Sequence, residues 1–279
     1  MCWYLGPAGT FTQQAAEILL PDKELKPLSD IESVFENCGI GVVPLENSTE
    51  GPVNLSLDAL LRWEDIQITA LLSLPIRHAL MSKSANSPIT KILAHPQAHA
   101  QCRKYLLKHH PQAERVPCAS NGEAALLASQ EKGWAAIGSE SAAKQYHLQI
   151  QAQGIQDNQN NSTSFIQIER NTTTQDIPKP NCRTSIAFAT ENKPGALHHI
   201  LGIFKTNGIN MNKILSRPIP TSPGEYIFFT DIEDYQANAA KAALTQVKNN
   251  ASFYRFLGSY QVQNLGGSAP KPPQTFGKV

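Results

Sequence analysis

The sequence lacks several features that would assign it to a membrane, secreted or nucleic-acid-binding class. Its 279 residues carry 24 basic and 23 acidic side chains, a balance that argues against nucleic acid or an anionic membrane as the main partner. It has no apolar run long enough to span a bilayer. Its five cysteines are scattered and form no CxxC pair, so neither a zinc site nor a disulfide framework is indicated. The first residues lack the basic segment and apolar block of a secretion signal, so we expect a cytoplasmic protein.

Residues 42–54 form the most informative segment, with the sequence Val-Val-Pro-Leu-Glu-Asn-Ser-Thr-Glu-Gly-Pro-Val-Asn. An apolar run stops at Pro44, polar side chains follow, and apolar residues then recur with helical spacing from Val53 onward. Pro52 suits the first turn of a helix, where its missing N–H leaves nothing unpaired. We therefore predict a strand, a polar turn and a helix. Such a turn brings an amide, two hydroxyls and backbone N–H groups together, a common way to bind a small anion.

Strand-like and helix-like segments alternate over the first 170 residues, which favours an α/β architecture. The pattern occurs twice, before and after about residue 74. It therefore predicts two lobes around a cleft, a common place for a small-molecule site. Thr10 with Gln13 and Ser120 with Glu123 have the spacing of capping boxes, which predicts a helix start after each pair.

The rest of the chain reads as a second domain. Residues 171–181 are rich in threonine and proline and are predicted to be a linker. Residues 182–262 follow the order βαββαβ, the ferredoxin-like arrangement. Residues 263–279 are rich in glycine and proline and poor in apolar side chains, so we predict a disordered tail.

Several motifs occur in a characteristic order. They are Tyr-Leu-Gly-Pro-Ala-Gly-Thr-Phe-Thr at 4–12, Val-Pro-Leu-Glu-Asn-Ser-Thr-Glu-Gly at 43–51, His-Pro-Gln-Ala at 95–98, Asn-Ser-Thr-Ser-Phe at 161–165, Gly-Ala-Leu at 195–197 and Ser-Arg-Pro at 216–218. With this ordered set, the chain resembles monofunctional prephenate dehydratases that carry a C-terminal ACT domain. The resemblance implies a two-lobed, periplasmic-binding-protein-like catalytic domain over 1–170 and a ferredoxin-like ACT domain over 182–262.

The resemblance also implies a function. Enzymes of this family convert prephenate to phenylpyruvate, with loss of water and carbon dioxide, in phenylalanine biosynthesis. They use no cofactor and no metal. Their ACT modules pair across subunits and bind phenylalanine as a feedback inhibitor, so a homodimer or homotetramer is expected. The choice between prephenate and its aminated analogue arogenate stays open.

By the same resemblance, Thr163 assists the departing ring hydroxyl, with a positioned hydrogen bond as the expected means. The residues expected to contact substrate are Thr10, Phe11, Asn47, Ser48, Thr49, Gln101 and Phe165. The residues expected to bind phenylalanine are Gly195, Ala196, Leu197, Asn210, Ser216, Arg217 and Pro218. Simpler interpretations exist: the polar residues at 10 and 47–49 also suit helix caps, Gln101 also suits a solvent-facing helix side, and His95 is expected to be structural.

The sequence departs from the family pattern at a few positions. Ser164 stands where the family has an arginine that could bind a carboxylate or brace the loop, and Ala94 replaces a serine. Leu215 replaces a glutamate and His198 replaces an apolar residue in the ACT motifs. These changes keep two alternatives open. One is a diverged activity, either non-aromatising decarboxylation of prephenate or hydrolysis of another small molecule. The other is a non-catalytic amino-acid sensor.

Overall fold

A computed structural model describes residues 1–84, 87–170, 178–219, 224–233 and 235–265. By internal contacts the chain divides into two units. The first unit contains residues 1–56, 72–165 and the segment from residue 264, and the second contains 57–71 and 166–263. The predicted linker falls outside the described residues over 171–177, and the predicted tail does so over 266–279.

The first part of the chain alternates strands and helices. In order these are β1 (Cys2–Leu5), α1 (Phe11–Leu19), β2 (Leu25–Leu28), α2 (Ile31–Asn37), β3 (Ile40–Asn47), β4 (Gly51–Pro52), α3 (Asn54–Arg62) and β5 (Ile66–Pro75). Strand β1 lies between β2 and β3 and is parallel to both. Apolar side chains of β1, α1 and β3 form the core beneath this sheet. We call the sheet and the helices packed on it the first lobe.

The segment that follows β3 differs from its prediction. Strand β3 continues through Pro44 to Asn47, and Pro52 lies in β4, where it faces Glu46 in an antiparallel pair. The helix begins only at Asn54. The prediction that Pro52 occupies the first turn of the helix was therefore wrong. The glycine at 51, with φ of 86°, lets the chain fold back into a hairpin, which helical spacing alone does not reveal.

The second lobe lies on a separate five-stranded sheet. Its elements are β6 (Ala79–Ser82), β7 (Lys91–Ala94), α4 (Pro96–Gln101), α5 (Arg103–His109), β8 (Glu114–Pro117), α6 (Asn121–Gln130), β9 (Trp134–Gly138), α7 (Glu140–Gln145) and β10 (Gln149–Gln153). The strand order is β10-β6-β9-β7-β8. Alanines of α6, α7 and β9 are fully buried, which lets these helices pack closely on the sheet. Strand β11 (Ser162–Arg170) then returns to the first lobe beside β3.

The second unit contains the predicted βαββαβ order. Its elements are β12 (Arg183–Ala189), α8 (Ala196–Thr206), β13 (Met211–Pro218), β14 (Tyr226–Ile232), α9 (Ala237–Asn250) and β15 (Phe253–Asn264). The strands are antiparallel in the order β13-β14-β12-β15, with both helices packed on one shared core. The predicted fold class, an α/β protein with a C-terminal ferredoxin-like module, is confirmed.

Two further findings concern features that the sequence lacked. All five cysteines are free thiols. Within the described part of the chain, no helix is both long and apolar enough to cross a membrane.

Candidate active site

A cavity of about 330 Å³ lies in the first unit, with walls from both lobes. The first lobe contributes the end of β1, the start of α1, Asn47 at the end of β3, and the start of β11. The second lobe contributes the starts of α4, α6 and α7. The polar and aromatic side chains of the lining include Thr10, Phe11, Asn47, His78, Gln101, Ser120, Ser139, Asn161 and Thr163.

The cavity wall combines apolar surface with amide, hydroxyl and imidazole side chains. Of the described residues that line it, none is Asp, Glu, Lys or Arg. The N-termini of several helices meet here instead, since Thr10 caps α1, Ser120 caps α6 and Ser139 caps α7. Helix N-termini present N–H groups and a partial positive charge, so this wall favours an anion without a cationic side chain.

Asn47 holds Thr163 at the centre of the site. Its amide nitrogen Nδ2 donates to Thr163 Oγ1 at 2.9 Å and to Asn161 Oδ1 at 3.0 Å. Thr163 is 8% exposed and lines the cavity. Because Thr163 Oγ1 accepts from Asn47, its own O–H proton remains available to donate to a bound molecule. Asn47 and Thr163, two predicted site residues that are 116 positions apart in the sequence, are therefore in direct contact.

The hydroxyls of Ser48 and Thr49 face Asn161 rather than the cavity. Ser48 Oγ donates to Asn161 Oδ1 at 3.4 Å, and Thr49 Oγ1 does so at 3.3 Å. Ser48 Oγ also accepts from the backbone N–H of Ser162 at 3.0 Å. Neither residue is among those that line the cavity. Both side chains therefore connect to the segment that carries Asn161 and Thr163, and their contact with substrate stays a prediction.

Gln101 lines the cavity, as expected, and connects to residues that the sequence did not single out. Its Oε1 lies 3.0 Å from His78 Nε2 and accepts from Asn161 Nδ2 at 3.4 Å. His78 is 3% exposed, and burial holds its pKa below the ordinary value, so the ring is neutral at neutral pH. Asn161 belongs to the motif at 161–165, two positions before Thr163, and could have been selected on that ground. His78 lies in none of the motifs, so the sequence did not mark it as a site residue.

Thr10 and Phe11 line the cavity from the first lobe, but Phe165 does not. Phe165 is 2% exposed and belongs to the core of the first lobe. It lies on β11 two residues after Thr163, so it leaves the same face of the strand but deeper in the packing. Phe165 therefore packs in the core of the first lobe, and its contact with substrate stays a prediction.

The two departures from the family pattern in the catalytic part lie outside the cavity wall. Ser164 leaves β11 on the face opposite Thr163, because side chains alternate along a strand, and it is not among the lining residues. Ala94 is fully buried in a core cluster of the second lobe. Neither substitution removes a donor from the described lining. His95 caps α4, where its Nδ1 accepts from the backbone N–H of Gln97 at 3.3 Å. It also lines the cavity, so its purely structural role stays a prediction.

The turn at residues 6–9 is bound by the second lobe. Ser139 Oγ donates to the carbonyl of Gly9 at 2.9 Å, and the Tyr146 hydroxyl donates to the carbonyl of Ala8 at 3.2 Å. Gly122 in α6 passes so close to the Ala8 carbonyl that a Cβ would overlap it. These contacts fix the position of the turn against α6 and α7.

A second cavity of about 340 Å³ lies in the second unit, beside the start of α8. Of the predicted regulatory residues, Gly195, Ala196 and Leu197 line it, together with His198. Asn210, Ser216, Arg217 and Pro218 do not line it; they lie on or just before β13. Arg217 instead forms a two-pronged ion pair with Asp58, at 2.5 and 3.2 Å.

The described residues contain no group of three or more His, Cys, Asp or Glu side chains placed to hold a metal ion.

Comparison with known proteins identifies the family of this fold. A family model for prephenate dehydratase matches residues 2–173, and a model for the ACT domain matches residues 184–241. The prephenate dehydratase of Methanocaldococcus jannaschii is 38% identical over 267 residues, which cover 93% of this chain and 97% of that protein. The chain belongs to the prephenate dehydratase family.

Other members of the prephenate dehydratase family agree in sequence and in structure. The prephenate dehydratase of Lactococcus lactis subsp. cremoris is 36% identical over 273 residues, covering 94% of this chain and 98% of the relative. A solved prephenate dehydratase from Arthrobacter aurescens, in complex with L-Phe, superimposes with a TM-score of 0.82 at 30% identity. That match covers 93% of this chain and 89% of the other.

Proposed function

We propose that the chain converts prephenate to phenylpyruvate in phenylalanine biosynthesis, with residues 1–170 as the catalytic domain and 182–262 as the ACT regulatory domain. The observation that supports it best is the hydrogen bond from Asn47 to Thr163 in a cavity walled by neutral donors. Family membership supports the reaction, and the contact between Asn47 and Thr163 supports the roles proposed for them.

Prephenate carries two carboxylates and a ring hydroxyl. When the bond to the ring carboxylate breaks, carbon dioxide leaves and its electron pair enters the ring. That pair expels the hydroxyl oxygen, which takes up a proton from solvent to form water, and the ring becomes aromatic. Thr163 O–H donates a hydrogen bond to the departing oxygen, where negative charge develops. A group of this kind contributes a factor of about 10² to 10⁴.

The neutral wall suits this reaction for a second reason. The charge on the ring carboxylate disappears as carbon dioxide forms, so a cation bound to it would stabilise the ground state more than the transition state. Amide and helix N–H donors hold the dianion without so strong a preference for its charged form. The serine at 164 in place of an arginine is compatible with this, because position 164 is not part of the described lining.

We further propose that phenylalanine binds the ACT domain and inhibits the enzyme, and that two copies pair through β13. This strand ends the sheet order of the second unit, so one of its edges is available for another strand. Asn210, Ser216, Arg217 and Pro218 lie on or next to β13, the strand through which we propose that the copies pair. We expect a cytoplasmic dimer or tetramer.

Product analysis tests the proposed function. Purified protein is incubated with prephenate, with and without phenylalanine, and the products are separated and identified. We expect phenylpyruvate, formed more slowly when phenylalanine is present. A non-aromatic keto acid would support the decarboxylase alternative, and unchanged prephenate together with phenylalanine binding would support the sensor.

A further inference from the structure

Two buried polar atoms at the cavity have no hydrogen-bond partner among the described residues. They are the ring nitrogen Nδ1 of His78 and the amide nitrogen Nε2 of Gln101. Both residues line the cavity, and they bond to each other through His78 Nε2 and Gln101 Oε1 at 3.0 Å. Buried polar atoms in native proteins nearly always have partners, so an unpaired donor in a binding cavity indicates a group that a ligand satisfies.

The orientation of the Gln101 amide follows from a chain of hydrogen bonds that starts at the backbone. Asn47 Oδ1 accepts from the backbone N–H groups of Thr49 at 2.9 Å and Glu50 at 3.1 Å. A backbone N–H can only donate, so this end of the Asn47 amide must be its oxygen, and its nitrogen must face Asn161. Asn161 therefore turns its oxygen to Asn47.

The same logic continues to His78. With its oxygen towards Asn47, Asn161 directs Nδ2 at Gln101, so the atom of Gln101 that receives it, at 3.4 Å, is the oxygen. That oxygen also faces His78 Nε2, and an oxygen of this kind can only accept. His78 Nε2 must carry the proton. This series of hydrogen bonds thus selects the Nε2-protonated tautomer of His78, and no charged side chain takes part in it.

We propose that His78 is a positioning residue for the dehydration of prephenate: its Nε2–H donates to Gln101 Oε1 and so turns Gln101 Nε2 towards an oxygen of the bound substrate. The inference deepens the proposed function and rests on it. Without the histidine, only one bond of 3.4 Å would hold the Gln101 oxygen, and its amide could rotate. Burial keeps the pKa of His78 low, so the ring stays neutral and adds no cation near the substrate carboxylates.

Matched variants test the donor. Glutamine and methionine have similar length, and glutamine can donate an N–H where methionine cannot. We expect H78M to lower kcat/KM by about 10- to 100-fold, mainly through a higher KM, because a hydrogen bond to a charged ligand is weakened. We expect kcat/KM of H78Q to be at least tenfold higher than that of H78M. In a Q101L background, H78M should cost less than about threefold, since the histidine acts through Gln101.

A purely structural role for His78 would give a different pattern. H78M and H78Q would then have equal kcat/KM, or H78M would cost as much in the Q101L background as in the wild type. Either result, with an active wild-type enzyme, would overturn the inference and leave the proposed function intact. If the wild type makes no phenylpyruvate from prephenate, the proposed function fails instead.

A second measurement decides the point even if H78M does not fold. Long-range nitrogen–proton correlation spectra of the full chain, labelled with ¹⁵N-histidine, report which ring nitrogen carries the proton. The signal is assigned by its absence from H78Q. We expect protonated Nε2 and unprotonated Nδ1 at neutral pH. A proton on Nδ1 in the neutral ring would overturn the inference, because Gln101 would then face the histidine with its nitrogen.

Discussion

Replacing Thr163 with valine is the sharpest test of the active site. The substitution keeps the branched shape of the side chain in a position that is 8% exposed, and it removes only the hydroxyl. Asn47 Nδ2 then loses its 2.9 Å acceptor but keeps Asn161 Oδ1 at 3.0 Å. Because one bond of the Asn47 amide nitrogen survives, we expect the free energy of unfolding to fall by only about 1 kcal/mol.

The loss of activity should be much larger than the loss of stability. The Thr163 hydroxyl acts on an oxygen whose negative charge develops only as the bond to the ring breaks. Loss of such an interaction lowers kcat and kcat/KM by the same factor, about 10² to 10⁴, and leaves KM nearly unchanged. This corresponds to about 2.7 to 5.4 kcal/mol of transition-state stabilisation.

The assay is the rate of phenylpyruvate formation over a range of prephenate concentrations, with T163S as the matched control. Serine retains the hydroxyl, so T163S should keep at least a tenth of the wild-type kcat, and thermal unfolding checks that both variants are folded. If T163V retained wild-type kcat, or lost activity only through KM, the hydroxyl would not assist the departing oxygen and the proposed chemistry would be wrong.

Three further predictions use other parts of the structure. N47D should lower kcat at least 100-fold while the protein stays folded, because a carboxylate would accept the Thr163 proton that the reaction needs; kinetics and thermal unfolding check this. G258A should lower the free energy of unfolding by about 2 kcal/mol or more. Its Cβ would overlap the backbone carbonyl of Ile68, and Gly258 has a φ of 148°, which L side chains rarely adopt. The control G202A, in open space within α8, should raise the free energy of unfolding by about 0.5 to 1 kcal/mol in denaturant titrations. His78 has a lowered pKa in the folded state, so its contribution to stability is complete above the unfolded value near 6.5 and is lost as the pH falls below it. Stability should therefore fall less steeply below that pH in H78Q than in the wild type; an equal slope would contradict the neutral buried ring.

The parts of the structure that depend on local pattern could be predicted from the sequence. The order βαββαβ followed from apolar periodicity interrupted by glycine, asparagine and proline, and the capping spacing of Thr10 with Gln13 corresponds to a real bond of 3.3 Å. The hairpin at Gly51 could not be predicted this way. It depends on pairing between β4 and β3, and proline is compatible with both a helix start and a short strand.

The active site shows the same division. Thr163 and Asn47 could be selected because a family resemblance marks them, and the structure brings them together. The burial of Phe165 in the first-lobe core could not be predicted, because a motif does not show how deep a side chain lies in the packing. The connections of His78 and Asn161 depend on side chains from distant parts of the chain meeting, and neither composition nor spacing records such meetings.

The neutral cavity wall has a consequence for how fast substrate is captured. Charged clefts draw in ions of opposite sign over distances of several ångströms, and added salt weakens that pull. A wall of amides and helix ends acts mainly at contact distance, and the chain as a whole carries a formal charge of only +1. Encounter with a dianion should therefore proceed without electrostatic steering, and the second-order rate constant should change little with ionic strength. Such an enzyme would capture its substrate at nearly the same rate in dilute and in salt-rich solution.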